Sequence, residues 1–180
     1  MIESFNQYPY GEGKEMIKNL EETIEYLNVK LEEIEEEMDK ILKKNYKKNY
    51  KLLTSIMGIG LKISAAITAY CNDFRDFSNA KEVVAFSGLD PSIHKSGKSV
   101  DKRSNISKRG NKILRTLLYE GAQSASIHNK QCKKLKKRLK SKNKNNKYIK
   151  VAIAHKLLRQ AYGVVTNEVE YDPNYVKNNI

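Results

Sequence analysis

Leu52-Leu53-Thr54-Ser55-Ile56-Met57-Gly58-Ile59-Gly60-Leu61-Lys62-Ile63-Ser64-Ala65-Ala66-Ile67 is the stretch on which the reading of this chain turns. Its apolar residues recur at helical spacing on both sides of Gly58-Ile59-Gly60, which predicts two short helices joined by a tight turn. Ile56 and Ile59 would plug the gap between the helices, Ala65 and Ala66 would let them approach, and the glycines would let the turn backbone come close to another surface. The N–H groups of such a turn, with the positive end of the second helix, form an anion site suited to a phosphate.

A turn of this kind resembles the helix-hairpin-helix module that grips a sugar-phosphate backbone without reading bases, here through Gly58, Gly60 and Lys62. The alternative is a tight turn between packed helices with no ligand. The charge of the chain favours the first. Among 34 Lys+Arg and 21 Asp+Glu, residues 1–42 hold 12 acids and 4 bases, leaving 9 acids and 30 bases in residues 43–180. A net charge of about −8 is thus followed by one of about +21, a field that attracts a polyanion such as nucleic acid.

The 180 residues, 39% apolar, suffice for one modest core. No run approaches the roughly 18 to 20 apolar residues of a membrane span, and the polar start lacks a basic region followed by an apolar stretch. A cytoplasmic protein with no membrane partner is expected. Cys71 and Cys132 stand far apart with no metal-ligand spacing nearby, which excludes a disulfide scaffold or a zinc cluster as the organising element.

Upstream, Ile17, Leu20, Ile24, Leu27, Leu31, Ile34, Met38 and Ile41 alternate steps of three and four, the seam of a long coiled-coil helix over residues 14–45. Ile17 and Ile24 at a with Leu20 and Leu27 at d favour two parallel strands, whereas Leu31 at a with Ile34 at d leans to higher order. Lys30 and Glu35 would attract across a parallel dimer. A homodimer or higher homo-oligomer through 14–45 is expected, the alternative being a helix folded back on its own domain. Residues 1–13 read as a polar tail and 43–51 as a basic connector.

Downstream, Ser78 or Asn79 starts a helix with Glu82 in its first turn, and Gly88 ends it. Residues 88–111 then run without periodicity, rich in serine, lysine and arginine. Gly97-Lys98-Ser99 is no P-loop, because that motif requires glycine where Ser92 stands and no strand pattern feeds it. Serine hydroxyls among cations are a setting for attack on a phosphodiester, with the cations stabilising charge on the transferring phosphoryl group. His94 is a weak candidate base, and Asp73, Asp76, Asp90, Asp101 and Glu120 read as caps and surface positions.

Five ordered blocks carry a family resemblance: Gly58-Ile59-Gly60; Phe77-Ser78-Asn79-Ala80-Lys81; Ala85-Phe86-Ser87-Gly88-Leu89-Asp90-Pro91; Ser96-Gly97-Lys98; and Ile106-Ser107-Lys108-Arg109-Gly110-Asn111 with Leu114-Arg115. Over residues 50–172 the chain resembles the C-terminal, serine-bearing domain of the insertion-sequence one-ten, Piv and MooV transposases, some of them bridge-RNA-guided recombinases. The resemblance implies that Ser96 becomes covalently linked to DNA in strand exchange, with Ser99 and Ser104 as alternatives. It also implies Lys95, Lys98, Lys108, Arg109 and Arg115 as phosphate contacts and a guide RNA as a further partner. In the family a RuvC-like domain with magnesium-bound carboxylates precedes this one. The chain therefore reads as a C-terminal part, inactive alone, with no cofactor of its own. The rival is a non-catalytic helix-hairpin-helix DNA-binding module on a coiled-coil dimer.

Behind the serine segment, Ile113, Leu114, Leu117, Leu118, Gly121, Ala122 and Ala125 predict a core helix, on whose early turns Arg115 would reach a phosphate or pair with Glu120. Ile149, Val151, Ala152, Leu157, Leu158, Ala161, Tyr162 and Val165 predict another, with His155 a packing residue. Between them, Lys133, Lys134, Lys136, Lys137 and Arg138 stand in a basic run, 130–147, read either as phosphate contacts or as a solvated, partly disordered connector. The architecture expected is all-α: a long coiled-coil helix, a compact helical domain over 50–172 containing the hairpin (52–67) and the serine loop (88–111), and a tail at 173–180.

Overall fold

A computed structural model describes residues 12–91 and 106–175. Among them are seven α-helices: α1 (Glu12–Asn45), α2 (Lys47–Thr54), α3 (Leu61–Cys71), α4 (Ala80–Ser87), α5 (Lys112–His128), α6 (Lys130–Ser141) and α7 (Asn146–Thr166). The described residues contain no strand, and the all-α expectation holds. None of the described helices is long and apolar enough to cross a membrane. The chain divides into two compact units, Met1–Ile41 and Leu42–Ile180.

In the first unit α1 is continuous through the region of the heptads, and Leu20, Ile24, Leu27, Leu31, Ile34 and Ile41 are exposed. Lys30 pairs with Glu33 one turn along the same helix at 2.7 Å.

In the second unit α5 and α7 form the centre. Leu114, Leu118, Ala122 and Ala125 of α5 are fully buried, as are Ile153, Ala154, Leu157, Leu158 and Ala161 of α7. Each helix starts on an asparagine whose side chain accepts a backbone N–H, Asn111 from Leu114 and Asn145 from Tyr148. α3 packs on α5, and α2 and α4 on α7. Ile113 is exposed because it precedes the stripe by one residue, about 100° around the helix.

Two basic stretches carry helix that the sequence reading did not assign. The connector 43–51 is helical, with α1 and α2 parted by Tyr46 alone. The run from Lys130 is α6, an ordered helix. Cys132, Leu135 and Leu139, at i, i+3 and i+7, give it an apolar stripe against the core, and the buried Asn129 caps it by accepting from Gln131 and Cys132 N–H.

Between α3 and α4, Asn72, Asp73 and Phe74 all adopt left-handed backbone, with φ 45°, 50° and 66°. Such residues cost roughly 1–2 kcal/mol each. Burial of Phe74, edge-on to Tyr162 at 5.6 Å, offsets this. Asp73, read as a cap or surface acid, is buried, and its carboxylate accepts from Asn49 and Thr68 at 2.9 Å each.

Candidate nucleic-acid interface

α2 and α3 flank a turn at residues 55–60, in which Ile56 and Ile59 are buried. Its two glycines serve different purposes. Gly58 has φ 106°, and a Cβ placed on it would lie 2.6 Å from Ala125 Cβ and 3.0 Å from the Gly121 carbonyl oxygen. Gly121 in turn leaves room for the Gly58 carbonyl, which a Cβ there would meet at 2.5 Å. The surface that the turn backbone approaches at Gly58 is therefore α5. Gly60 is exposed, has nothing within 4 Å of its Cβ position, and precedes α3 with no side-chain cap. Lys62 is exposed on the first turn of α3. The half of the turn open to an outside ligand is Gly60 and the start of α3.

Ser96, its alternatives Ser99 and Ser104, the cations Lys95 and Lys98, and His94 lie outside the described residues. The structure does describe both flanks of their segment. Pro91 and Ile106 form an antiparallel bridge. Ser107 N–H donates to the Asp90 carbonyl at 2.8 Å, while its hydroxyl donates to the Asp90 carboxylate. Lys108 N–H donates to Gly88 at 3.1 Å and Asn111 N–H to Phe86 at 2.7 Å. Asn79 caps α4 and left-handed Gly88 ends it, which turns the chain into this clasp.

Arg115 does not pair with Glu120. Its Nη1 donates to the carbonyls of Ser87 at 2.8 Å and Gly110 at 3.4 Å, so it fastens the clasp from α5. Lys108, at φ 57°, and Arg109 are exposed beside it. On α6, Lys133, Lys134, Lys137 and Arg138 are exposed, whereas Lys136 is half-buried and donates to Ser126 Oγ at 3.0 Å. α5 sets the spacing between the regions. Arg115 at the clasp and Ala125 under the hairpin are about 15 Å apart along the axis and roughly 80° around it. Hairpin and clasp therefore meet neighbouring faces of α5 rather than one face.

A buried network went unread in the sequence. Besides capping α6, Asn129 donates to the Met57 carbonyl at 3.3 Å and to Gln160 at 3.2 Å, and accepts from Tyr171 OH at 2.9 Å. Tyr171 N–H donates to Ser55 Oγ at 2.9 Å. The hairpin turn is thereby tied to α6, α7 and the chain beyond. The available sequence signal was an asparagine at a helix start.

Burial pushes the Cys71 thiol up to about 12 and the Cys132 thiol up to about 11, so neither supplies a thiolate nucleophile near neutral pH. Burial, and then Arg159, lowers the pKa of His155 from its ordinary 6.5. The unfolded chain thus takes up that proton before the folded one, and stability from this group is present above 6.5 and falls as the pH drops below it. Urea unfolding at about pH 7.5 and about pH 5 is expected to show a smaller acid loss in His155→Gln than in the parent. Among the described residues no group of three His, Cys, Asp or Glu side chains could hold a metal.

Residues 50–137 match the family described as the transposases of the IS116/IS110/IS902 family. The pilin gene-inverting protein of Moraxella lacunata is 35% identical over 122 residues, which are 67% of this chain and 38% of that protein. The transposase for insertion sequence element IS1111A of Coxiella burnetii is 34% identical over 122 residues, 65% of this chain and 33% of that protein. The chain therefore spans about a third of the length of these curated relatives.

Proposed function

Residues 50–137 are related to the IS116/IS110/IS902 transposases, and on that premise we propose that this chain binds DNA and supplies Ser96 as the nucleophile of strand exchange. The reading rests above all on the clasp. Pro91 and Ile106 are bridged, with Asp90, Gly88 and Arg115 holding the flanks, so both ends of the serine-bearing segment are fixed beside Lys108 and Arg109. In the step proposed, Ser96 Oγ forms a bond to a backbone phosphorus and a deoxyribose oxygen leaves with the proton. The phosphodiester energy is kept in the protein–DNA ester for rejoining. Lys108 and Arg109 balance charge on the phosphoryl oxygens. Activation of the hydroxyl is assigned to a RuvC-like domain, and target choice to base pairing with a guide RNA, since phosphate contacts carry no sequence information.

Ser96→Ala tests the chemistry when the RuvC-like domain is supplied with this chain. Protein–DNA adducts on a denaturing gel should disappear, while Ser99→Ala and Ser104→Ala retain them. Adducts that survive Ser96→Ala exclude it as the nucleophile. The uncapped, exposed start of α3 at Gly60 favours a second reading, a backbone clamp without chemistry. Under it no adduct forms in any variant, yet duplex binding falls with salt.

Assembly of copies is assigned to the exposed heptad face of α1. Leu27→Glu with Ile34→Glu should convert a multimer to a monomer in analytical ultracentrifugation. An unchanged mass would remove α1 from assembly.

A further inference from the structure

An open groove of about 1320 Å³ lies between α6 and α7, with the chain after α7 forming part of its wall. That exceeds the roughly 300–1,000 Å³ of ordinary small-molecule pockets. Its floor is apolar, built by Leu135, Leu139 and Val151, each half-buried against the core. Arg138, Lys156 and Arg159 line it with positive charge, and Tyr148 and Tyr175 present exposed rings, 48% and 66% accessible. Lys144 Nζ, 5.5 Å from the centre of the Tyr148 ring, adds an ammonium at that side. The groove also holds acids, but Glu170 is paired with Lys51 at 2.7 Å and Asp172 accepts from Asn174 N–H.

We propose that this groove holds an unpaired polynucleotide strand, its phosphates on Arg138, Lys156 and Arg159 and its bases against Tyr148 and Tyr175. An apolar floor with rings beside cations matches a strand whose base faces are bare. A duplex buries those faces in its own stack and presents phosphate and sugar outward. A purely apolar partner segment would leave the arginines without counter-charge. His155, on the same wall and held neutral by burial, offers one N–H donor and one acceptor nitrogen to a base edge instead of another cation. Pro91 and Ile106 also line the groove, so a strand lying there would pass the foot of the segment that carries Ser96. The inference rests on the proposed nucleic-acid binding and not on which serine reacts.

The test is fluorescence anisotropy of the full chain with labelled oligothymidine and oligouridine of roughly 12 nucleotides, and with a blunt duplex. Arg138→Ala with Arg159→Ala should weaken single-strand binding at least tenfold. Lys133→Ala with Lys134→Ala removes the same charge from α6 outside the groove and should weaken it far less. Tyr148→Ala should weaken single-strand binding about tenfold and leave duplex binding unchanged. A tighter fit of oligothymidine or of oligouridine identifies the strand as DNA or RNA. Equal losses in the two double variants, or no effect of Tyr148→Ala, overturn the groove as a strand site. Duplex binding without single-strand binding at low salt overturns the inference alone, and binding of neither overturns the nucleic-acid reading as well.

Discussion

Gly110→Ala should lower the unfolding free energy by about 3 kcal/mol, whereas Gly60→Ala should change it by less than about 0.5 kcal/mol. A Cβ on Gly110 would stand 1.9 Å from the Phe86 carbonyl oxygen and 2.6 Å from the Gly88 nitrogen. Both are backbone atoms, so no rotamer relieves the overlap; the 106–111 segment must part from the end of α4. Parting breaks the Asn111-to-Phe86 and Lys108-to-Gly88 hydrogen bonds and frees the Arg115 guanidinium from its two carbonyls. Gly60 has nothing within 4 Å of its Cβ position and no positive φ. Urea unfolding of the two variants reads the contrast directly. Equal, small effects would mean that the clasp does not form as described, and with it would go the anchorage proposed for Ser96.

Replacing Asn129 by alanine has an expected cost of similar size, about 3 kcal/mol. Roughly 1 kcal/mol comes from losing the cap of α6. The rest comes from leaving the Met57 carbonyl and the Gln160 side-chain oxygen, both in a part-buried place, without the donor Asn129 supplies. Tyr171→Phe removes one donor to the same oxygen and should cost about 1 kcal/mol. Because the two side chains share a bond, the double variant should lose less than the sum, a coupling that urea unfolding of all three variants measures. Strict additivity would show that the network is not one unit. The expected functional consequence is weaker duplex binding, since Met57 lies in the hairpin turn that Asn129 holds.

The elements readable in advance were those whose signals are local. Asn79 with Glu82 at one end and Gly88 at the other marked α4, and the spacing from Leu114 to Ala125 marked α5. α6 was missed as an ordered helix because its lysines outnumber the three apolar positions that seat it. The bond from Arg115 to the Ser87 carbonyl was not read, because that carbonyl lies distant in sequence and belongs to the backbone, which side-chain pairing arguments do not consider. Asp73 was read as a surface acid because nothing nearby shows that Asn49 and Thr68 converge on it.

By itself the sequence determined where α4 and α5 lie, that the described residues are all-α, and that a strongly acidic helix precedes a basic domain. Those properties depend on contacts within about four residues and on summed charge, and both survive without knowledge of the fold. Tertiary structure alone decided that Gly58 answers to α5 while Gly60 stays open. It also decided that Arg115 fastens a clasp and that Arg138, Tyr148 and Arg159 share a groove. Each of those outcomes depends on which distant surface meets the residue, and two glycines two positions apart look alike until packing covers one of them.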